Sequence, residues 1–359
     1  MSRAYSLVVI GASSAGIMHA IAAARNGVEV LLLEDQADPD QQSIQDLRDS
    51  GVKYLSGHSV WYLDRHREIG VLSQAGKLRL RAERIIIASA AQERTMPFPG
   101  WELPGVMTAI EAQALLKTRA TFSEKAVVLV GHGPLLWLLA SRLIDVGAPI
   151  TAVLEITGPG ASFVTGKVHA EIPCYRIQNL RACGDTKLQS VAFEQDGKLE
   201  RLETTTLITH NGLIPDIRLA QAAGCAIDWN QQGQYWQVRV DPSGESSQSG
   251  IFVADDATYD SVGVEFPLDD ETVICRCESV RLGELKAVIA MGCTGPNQAK
   301  AFIRCGMGNC QGRACAAIVE QAFTRQLGKP MDEIGHFRAR PPLKPITLGQ
   351  LAGTAETES

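Results

Sequence analysis

Apolar and polar positions along the chain fall into two alternating blocks followed by a cysteine-rich stretch. Residues 5 to 34 read YSLVVIGASSAG, IMHAIAAARNG and VEVLLLE, which predicts a strand, a tight glycine turn, a helix and a second strand, with Gly27 stopping the helix. This βαβ unit opens a doubly wound sheet. Residues 35 to 50 are polar and rich in Gln and Asp, and no element is predicted there. From Gly51 to Ala91 the alternation of apolar and polar residues between turn signals predicts a small β-meander returning to the sheet. PFPGWELPGV, with three prolines and two glycines, marks a crossover between domains. A second βαβ unit begins at Ala126 (AVVLVGHGPLLWLLASRLIDVGAPITAVLE), punctuated by Gly147 and ending at Glu155. Asp196-Gly197 gives a hairpin signal between two alternating runs, and GIFVADD, Gly250 to Asp256, predicts a short strand re-entering the first sheet.

The fold class expected is therefore α/β, with two Rossmann-like, dinucleotide-binding domains and a small helical cysteine-rich domain. The expected boundaries are 1–105 with 246–266 for the first domain, 106–245 for the second, 267–330 for the cysteine-rich domain and 331–359 for a Pro-rich tail. A length of 359 residues accommodates two or three such domains.

Composition narrows the partners. The chain is 45% hydrophobic, which excludes wholesale disorder. With 34 basic and 40 acidic residues, a net charge of −6 and no basic run interleaved with aromatics, nucleic acid and anionic membrane are excluded as partners. Apolar runs are strand-length, far below the roughly 20 residues of a membrane span. The N-terminus carries no export signal pattern, and a cytoplasmic location is expected.

Six of nine cysteines lie between Cys275 and Cys315. VICRCESV and, later, RCGMGNCQGRAC form a C-x-C pair and a C-x4-C pair, separated by a stretch that reads as two helices. Four thiolates on two loops, Cys275, Cys277, Cys310 and Cys315, can close on one iron-sulfur centre, and Gly306, Gly308 and Gly312 let backbone amides approach the sulfurs. A helix is expected to start near Gly312 and point its positive end at the centre, with Arg276, Arg304 and Arg313 offsetting charge. Structural zinc also accepts four cysteines, although C-x-C is uncommon among its knuckles. Cys293 and Cys305 are spare thiols, either of which could replace a nominated ligand, and each reads first as a buried small hydrophobe; Cys174, Cys183 and Cys225 read as inert.

These residues resemble a family. VICRCESV with RCGMGNCQGRAC is similar to the bacterioferritin-associated-ferredoxin-like [2Fe-2S] domain at the C-terminus of opine oxidase alpha subunits, hydrogen cyanide synthase B subunits and related proline or hydroxyproline dehydrogenase subunits. PFPGWELPGVMTAIEAQALLK, VVLVGHGPLLWLLASRL, HNGLIPDIRLAQAAG and RPPLKPITLGQLA carry the resemblance over nearly the whole chain. The resemblance implies an electron-transfer subunit of a heteromeric flavin-dependent amine or amino-acid dehydrogenase. Its partner would be a D-amino-acid-oxidase-like FAD subunit that holds the substrate pocket, with a further small subunit in some assemblies. Electrons would pass from the partner's FAD through an FMN at the subunit interface and the cluster to an external acceptor. No catalytic residue is then expected in this chain.

Against the family's nucleotide fingerprints the chain departs at several points. The first turn keeps Gly11 and Gly16 but has Ser13 and Ser14 between them, which puts a Cβ where a pyrophosphate approaches. Glu34 ends the second strand, where an acid binds ribose hydroxyls. Ala90 stands where the family has glycine in an ATG-like turn, and Asp255 where glycine would precede Asp256. A bound FAD in this chain and an empty or mononucleotide site both stay open. In the second unit Gly131 and Gly133 form a lone GxG, read either as NAD(P)H contact or as βαβ packing. His132 reads as a turn filler, and Trp101 and Trp137 as packing residues. Two other classes stay in view: a stand-alone NAD(P)H-dependent flavoprotein reductase, whose disulfide form would need a redox cysteine pair in a first domain that has no cysteine, and a structural zinc-binding partner protein.

Overall fold

The computed structural model describes residues 3–35, 41–89, 91–117, 122, 127–156, 172–254, 263 and 266–352. Val30–Leu33 is buried at every position, and Val8 and Val9 of the first strand, Arg3–Ile10, are wholly covered. Such continuous burial belongs to parallel strands covered on both faces. The sheet runs Lys53–Leu55, Val30–Leu33, Arg3–Ile10, Lys77–Ile87, Glu68–Leu72, Ser59–Leu63, with Ile251–Val253 pairing in parallel on Lys77–Ile87. The meander and the returning strand thus form as their alternation predicts. The polar stretch after Glu34 differs from its reading, because Gln41–Asp49 is a helix. Leu47 is its one fully buried apolar side chain among the described residues, too little for a periodic signal, and i,i+4 bonds from Gln42 to Asp46 and Gln45 to Asp49 support it.

The second sheet is parallel throughout, in the order Cys174–Ile177, Ile150–Ile156, Val127–Gly131, Thr206–His210, Val106–Thr108. Helices Ala109–Lys117 and Pro134–Asp145 cover one face, through Leu136, Leu139 and Leu143 against Leu129 and Ile208. A three-stranded antiparallel sheet contains the expected turn, with Asp196 and Gly197 both at positive φ (49° and 74°).

The cysteine-rich segment adds a short hairpin, Val273–Cys275 with Val280–Arg281, and helices Leu282–Ala290, Pro296–Ile303 and Ala316–Leu327. Its apolar side chains do not form a separate core. Leu285, Val319 and Phe323 belong to the same buried cluster as Phe98, Trp101, Val128 and Leu154, so the cysteine region and the second unit share one apolar interior. Helix Ala316–Leu327 begins one turn after the expected start. Gln311 and Gly312 hold φ of 52° and 85°, which no right-handed helix continues. Among the described residues no helix is long and apolar enough to cross a membrane.

The C-terminal segment is a strap rather than a loose end. Arg338 N–H donates to Asn297, Ala339 N–H to the Gln221 side chain, and Leu343 N–H to the Trp61 carbonyl, at 3.0, 2.7 and 3.0 Å. Lys344 then pairs with Asp35 at the end of the second strand. One extended segment therefore ties the cysteine helices to the first unit, since the helix carrying Gln221 packs in that unit's core.

Candidate metal centre and nucleotide cleft

Five of the six clustered cysteines converge. The Sγ atoms of Cys275, Cys305 and Cys315 all lie within 4.8 Å of one another and all three residues are buried. The exposed Cys277 lies against the half-buried Cys310, whose backbone N–H and thiol both reach it. Glycine makes this approach: a Cβ on Gly308 would sit 2.2 Å from Cys277 Cβ, so any other residue would push the two loops apart.

The loop from Arg304 to Gly312 carries positive φ at Arg304, Gly306, Gln311 and Gly312, an arrangement that turns amides toward one point. The backbone N–H groups of Gly306 and Glu278 donate to the Cys275 sulfur. Hydrogen bonds from Cys305 first, then Cys315, and then these amides hold the Cys275 thiol well below its ordinary range despite burial. The hydrogen bond to Cys275 first, with burial adding to it, pushes the Cys305 and Cys315 thiols up. Soft, preorganised sulfur donors with amides aimed at them fit an iron-sulfur centre, and they also fit zinc.

Cys305 departs from its reading as a small hydrophobe: it is buried, but as a member of a thiol cluster. The sequence holds a signal for this, since Cys305 to Cys310 repeats the C-x4-C spacing of Cys310 to Cys315. Cys293 is buried and outside the group. The arginines divide. Arg313 donates to the Cys310 carbonyl at 3.2 Å, whereas Arg304 pairs with Glu278 at 2.9 Å and Arg276 lies over the Trp101 ring. Trp101, 3% exposed, donates to the Val273 carbonyl and so packs as expected.

From Cys310 and Arg313 a cleft of about 640 Å³ runs to the first glycine turn, lined by Gly11, Ser13, Glu34, Gln92, Glu93 and Arg218 among others. Gly11 and Gly16 are demanded by the chain itself. A Cβ on Gly11 would lie 2.3 Å from the Ala88 carbonyl oxygen, and one on Gly16 equally close to that of Gly11. Ser13 caps helix Ser14–Arg25, its Oγ accepting from Gly16 N–H at 3.2 Å, and Ser14 is the first helical residue. Glu34 accepts from Ala12 N–H at 2.7 Å. An acid at the strand end and a helix N-terminus on one cleft fit a nucleotide. In the same cleft, Arg218 forms a half-buried pair with Asp216. Burial raises the Asp216 carboxyl, but the Arg218 hydrogen bond and charge outweigh it and leave the value lowered.

The second GxG is explained by packing. A Cβ on Gly131 would stand 1.8 Å from the His210 carbonyl oxygen, and Gly133, at φ 87°, precedes Pro134 at the helix start. His132 is buried and contacts Asn211 at 3.2 Å, while His210 lies 2.5 Å from Glu93, a buried pair that no sequence motif marked. Ala90, Asp255 and Asp256 lie outside the described residues.

Two dinucleotide-type units, with a cysteine module built onto the second, define an oxidoreductase of the two-domain flavoprotein fold. Residues 36–267 match the pyridine nucleotide-disulphide oxidoreductase family, and the chain belongs to it. Residues 272–355 match the sarcosine oxidase A3 domain. The chain is similar to the A subunit of opine oxidase from Agrobacterium tumefaciens (strain Ach5), at 29% identity over 99% of this chain and 93% of that protein. It is also similar to hydrogen cyanide synthase subunit HcnB of Pseudomonas aeruginosa, at 24% identity over 94% and 96%. Its fold is shared by L-proline dehydrogenase from P. horikoshii, with a TM-score of 0.74 and 19% identity over 98% of this chain and 80% of that one.

Proposed function

We propose that this chain is the electron-transfer subunit of a heteromeric flavin-dependent dehydrogenase acting on an amine or amino acid, of the opine, proline or hydroxyproline type. Residues 267–330 form its cluster domain, and Cys275, Cys277, Cys310 and Cys315 hold a [2Fe-2S] cluster. When bound, the cluster supplies one-electron redox chemistry. The substrate pocket belongs to a D-amino-acid-oxidase-like partner, an FMN sits at the interface with it, and the assembly works in the reducing cytoplasm, where nine free thiols are stable.

The observation that carries this reading is a single cleft joining the nucleotide turn at Ser13 and Glu34 to Cys310. Within it the chain's own residues hold a cofactor and neutralise charge. Glu34 offers a carboxylate to ribose hydroxyls, the capped helix offers amides to phosphate, and Arg313 offers positive charge beside Cys310.

Two observations weigh on the alternatives. Desolvation, then the Glu155 carboxylate, pushes the Cys174 thiol up to about 11, the wrong direction for a redox nucleophile in a disulfide reductase. Three sulfurs within 4.8 Å also suit a mononuclear zinc, and metal analysis separates the two. The complex purified with its neighbouring subunits should contain iron and acid-labile sulfide and absorb broadly in the visible. Cys310→Ser should abolish the cluster signal and reduction of an artificial dye, while substrate still reduces the partner's flavin. Full dye activity in that variant, or a colourless zinc-loaded wild type, overturns the proposal.

A further inference from the structure

We propose that a chamber between helix Ala316–Leu327, the C-terminal strap and the hairpin of Ile227–Asn230 with Tyr235–Val238 binds a small zwitterionic amino acid, its carboxylate on Arg218 and its ammonium on Glu320. The inference stands apart from the metal centre and from the electron-transfer reading.

The chamber has a volume of about 50 Å³. At roughly 10 to 15 Å³ for each water-sized sphere it admits about three to five heavy atoms, too few for a nucleotide or a flavin. Its polar atoms set it apart. Gln92 Oε1, Arg218 Nη1, Glu320 Oε1 and His336 Nδ1 are buried, belong to residues lining this one chamber, and have no hydrogen-bond partner among the described residues. A buried polar atom without a partner is destabilising, so four around one small space call for a polar occupant.

Charge assigns the ends of that occupant. Asp216 takes up the Nε and Nη2 edge of Arg218, which leaves the Nη1 N–H groups for another acceptor. Glu320, 1% exposed, accepts from Trp236 Nε1 through Oε2 at 3.0 Å, which leaves Oε1 for a second donor. His336 Nδ1 lies 2.7 Å from that oxygen but outside hydrogen-bond geometry. Gln92 and Arg218 also line the nucleotide cleft, whereas Glu320 and His336 do not. The guanidinium therefore stands where the chamber meets the cleft, and the carboxylate stands at the inner end. There the Trp236 ring, 5.5 Å from that of Trp229, adds an aromatic face that attracts an ammonium group. An anion alone would bring like charge to Glu320, and a cation alone would leave Arg218 Nη1 unanswered. A molecule with both charges satisfies both ends, and glycine meets the size limit.

The test is equilibrium dialysis of the full-length chain against radiolabelled glycine, with unlabelled glycine, acetate, methylammonium and leucine as competitors. Expected are one glycine bound per chain, competition by acetate and by methylammonium at least about tenfold weaker because each answers one charged end, and none by leucine, which exceeds the volume. Glu320→Gln keeps an acceptor for the Trp236 N–H and should weaken glycine by at least about tenfold. Absence of saturable glycine binding leaves the chamber to water and overturns the proposal. Acetate, methylammonium or leucine competing as well as glycine, or an unchanged affinity in Glu320→Gln, overturns it too. Should that variant not fold, the wild-type competition series decides by itself. None of these outcomes depends on iron, so failure here and failure of the cluster reading are distinct.

Discussion

The carbonyl oxygen of His210 occupies the place a side chain would need at Gly131, where φ is 144° and a Cβ would lie 1.8 Å away. Gly131→Ala must move one strand of the second sheet off its neighbour, and we expect a loss of about 2 to 4 kcal/mol in denaturant unfolding, from overpacking together with backbone strain. Buried polar groups give a second case. Glu320, 1% exposed, accepts from Trp236 Nε1 at 3.0 Å and lies 2.7 Å from His336 Nδ1. Glu320→Ala strands the Trp236 indole N–H and should cost about 1 to 3 kcal/mol, read as a lowered melting temperature. The Asp216 carboxyl gives a pH dependence. Its folded value is lowered from 3.8, so its contribution is complete at neutral pH and is lost as pH falls through the lowered value. Chemical denaturation of wild type and Asp216→Asn across acid pH should show a stability gap that narrows below about pH 4.

At the scale of elements, the loop from Arg304 to Gly312 is held in its amide-inward conformation from behind. The Phe337 ring packs on Gly306 and Gly312, and Lys300 Nζ lies 4.7 Å from the ring centroid. Phe337→Ala should cost about 3 kcal/mol from the cavity alone. It should also accelerate hydrogen exchange at residues 306–312 more than in the strands of either sheet, and uniform exchange would show that the loop holds itself. Helix Ala316–Leu327 illustrates how element boundaries reach the site. Its start is set by positive φ at Gln311 and Gly312, and this leaves Cys315 as its N-cap, with the Ala316 N–H donating back to the Gly312 carbonyl at 2.8 Å.

The whole molecule is stitched by its C-terminal strap. The surface pair Lys344–Asp35 is worth under about 1 kcal/mol by itself, so Lys344→Ala should barely alter stability. Removing residues after Gly335 deletes in addition the buried Phe337 and Leu343 and the bonds to Gln221 and Trp61. The first sheet would then unfold independently of the second unit and the cysteine helices, which share one core. Calorimetry should resolve a single wild-type transition into two, and one sharp transition in the truncated chain would show that the strap carries no coupling.

Periodicity and punctuation alone determined the two βαβ units, the meander, the Asp196-Gly197 hairpin and the strand at Ile251, because each is written in neighbouring residues whose spacing matches one backbone period. The same local logic placed Cys275, Cys277, Cys310 and Cys315 together as candidates. It did not find helix Gln41–Asp49, which is anchored by one buried leucine, or the Glu93–His210 pair, whose members lie 117 positions apart. Nor could it bring Cys305 beside Cys275 and Cys315, because the three sulfurs come from separate loops. That convergence, the merging of the cysteine helices into the second unit's core and the path of the strap were decided only by tertiary packing, which brings distant residues into contact with energies no local pattern encodes.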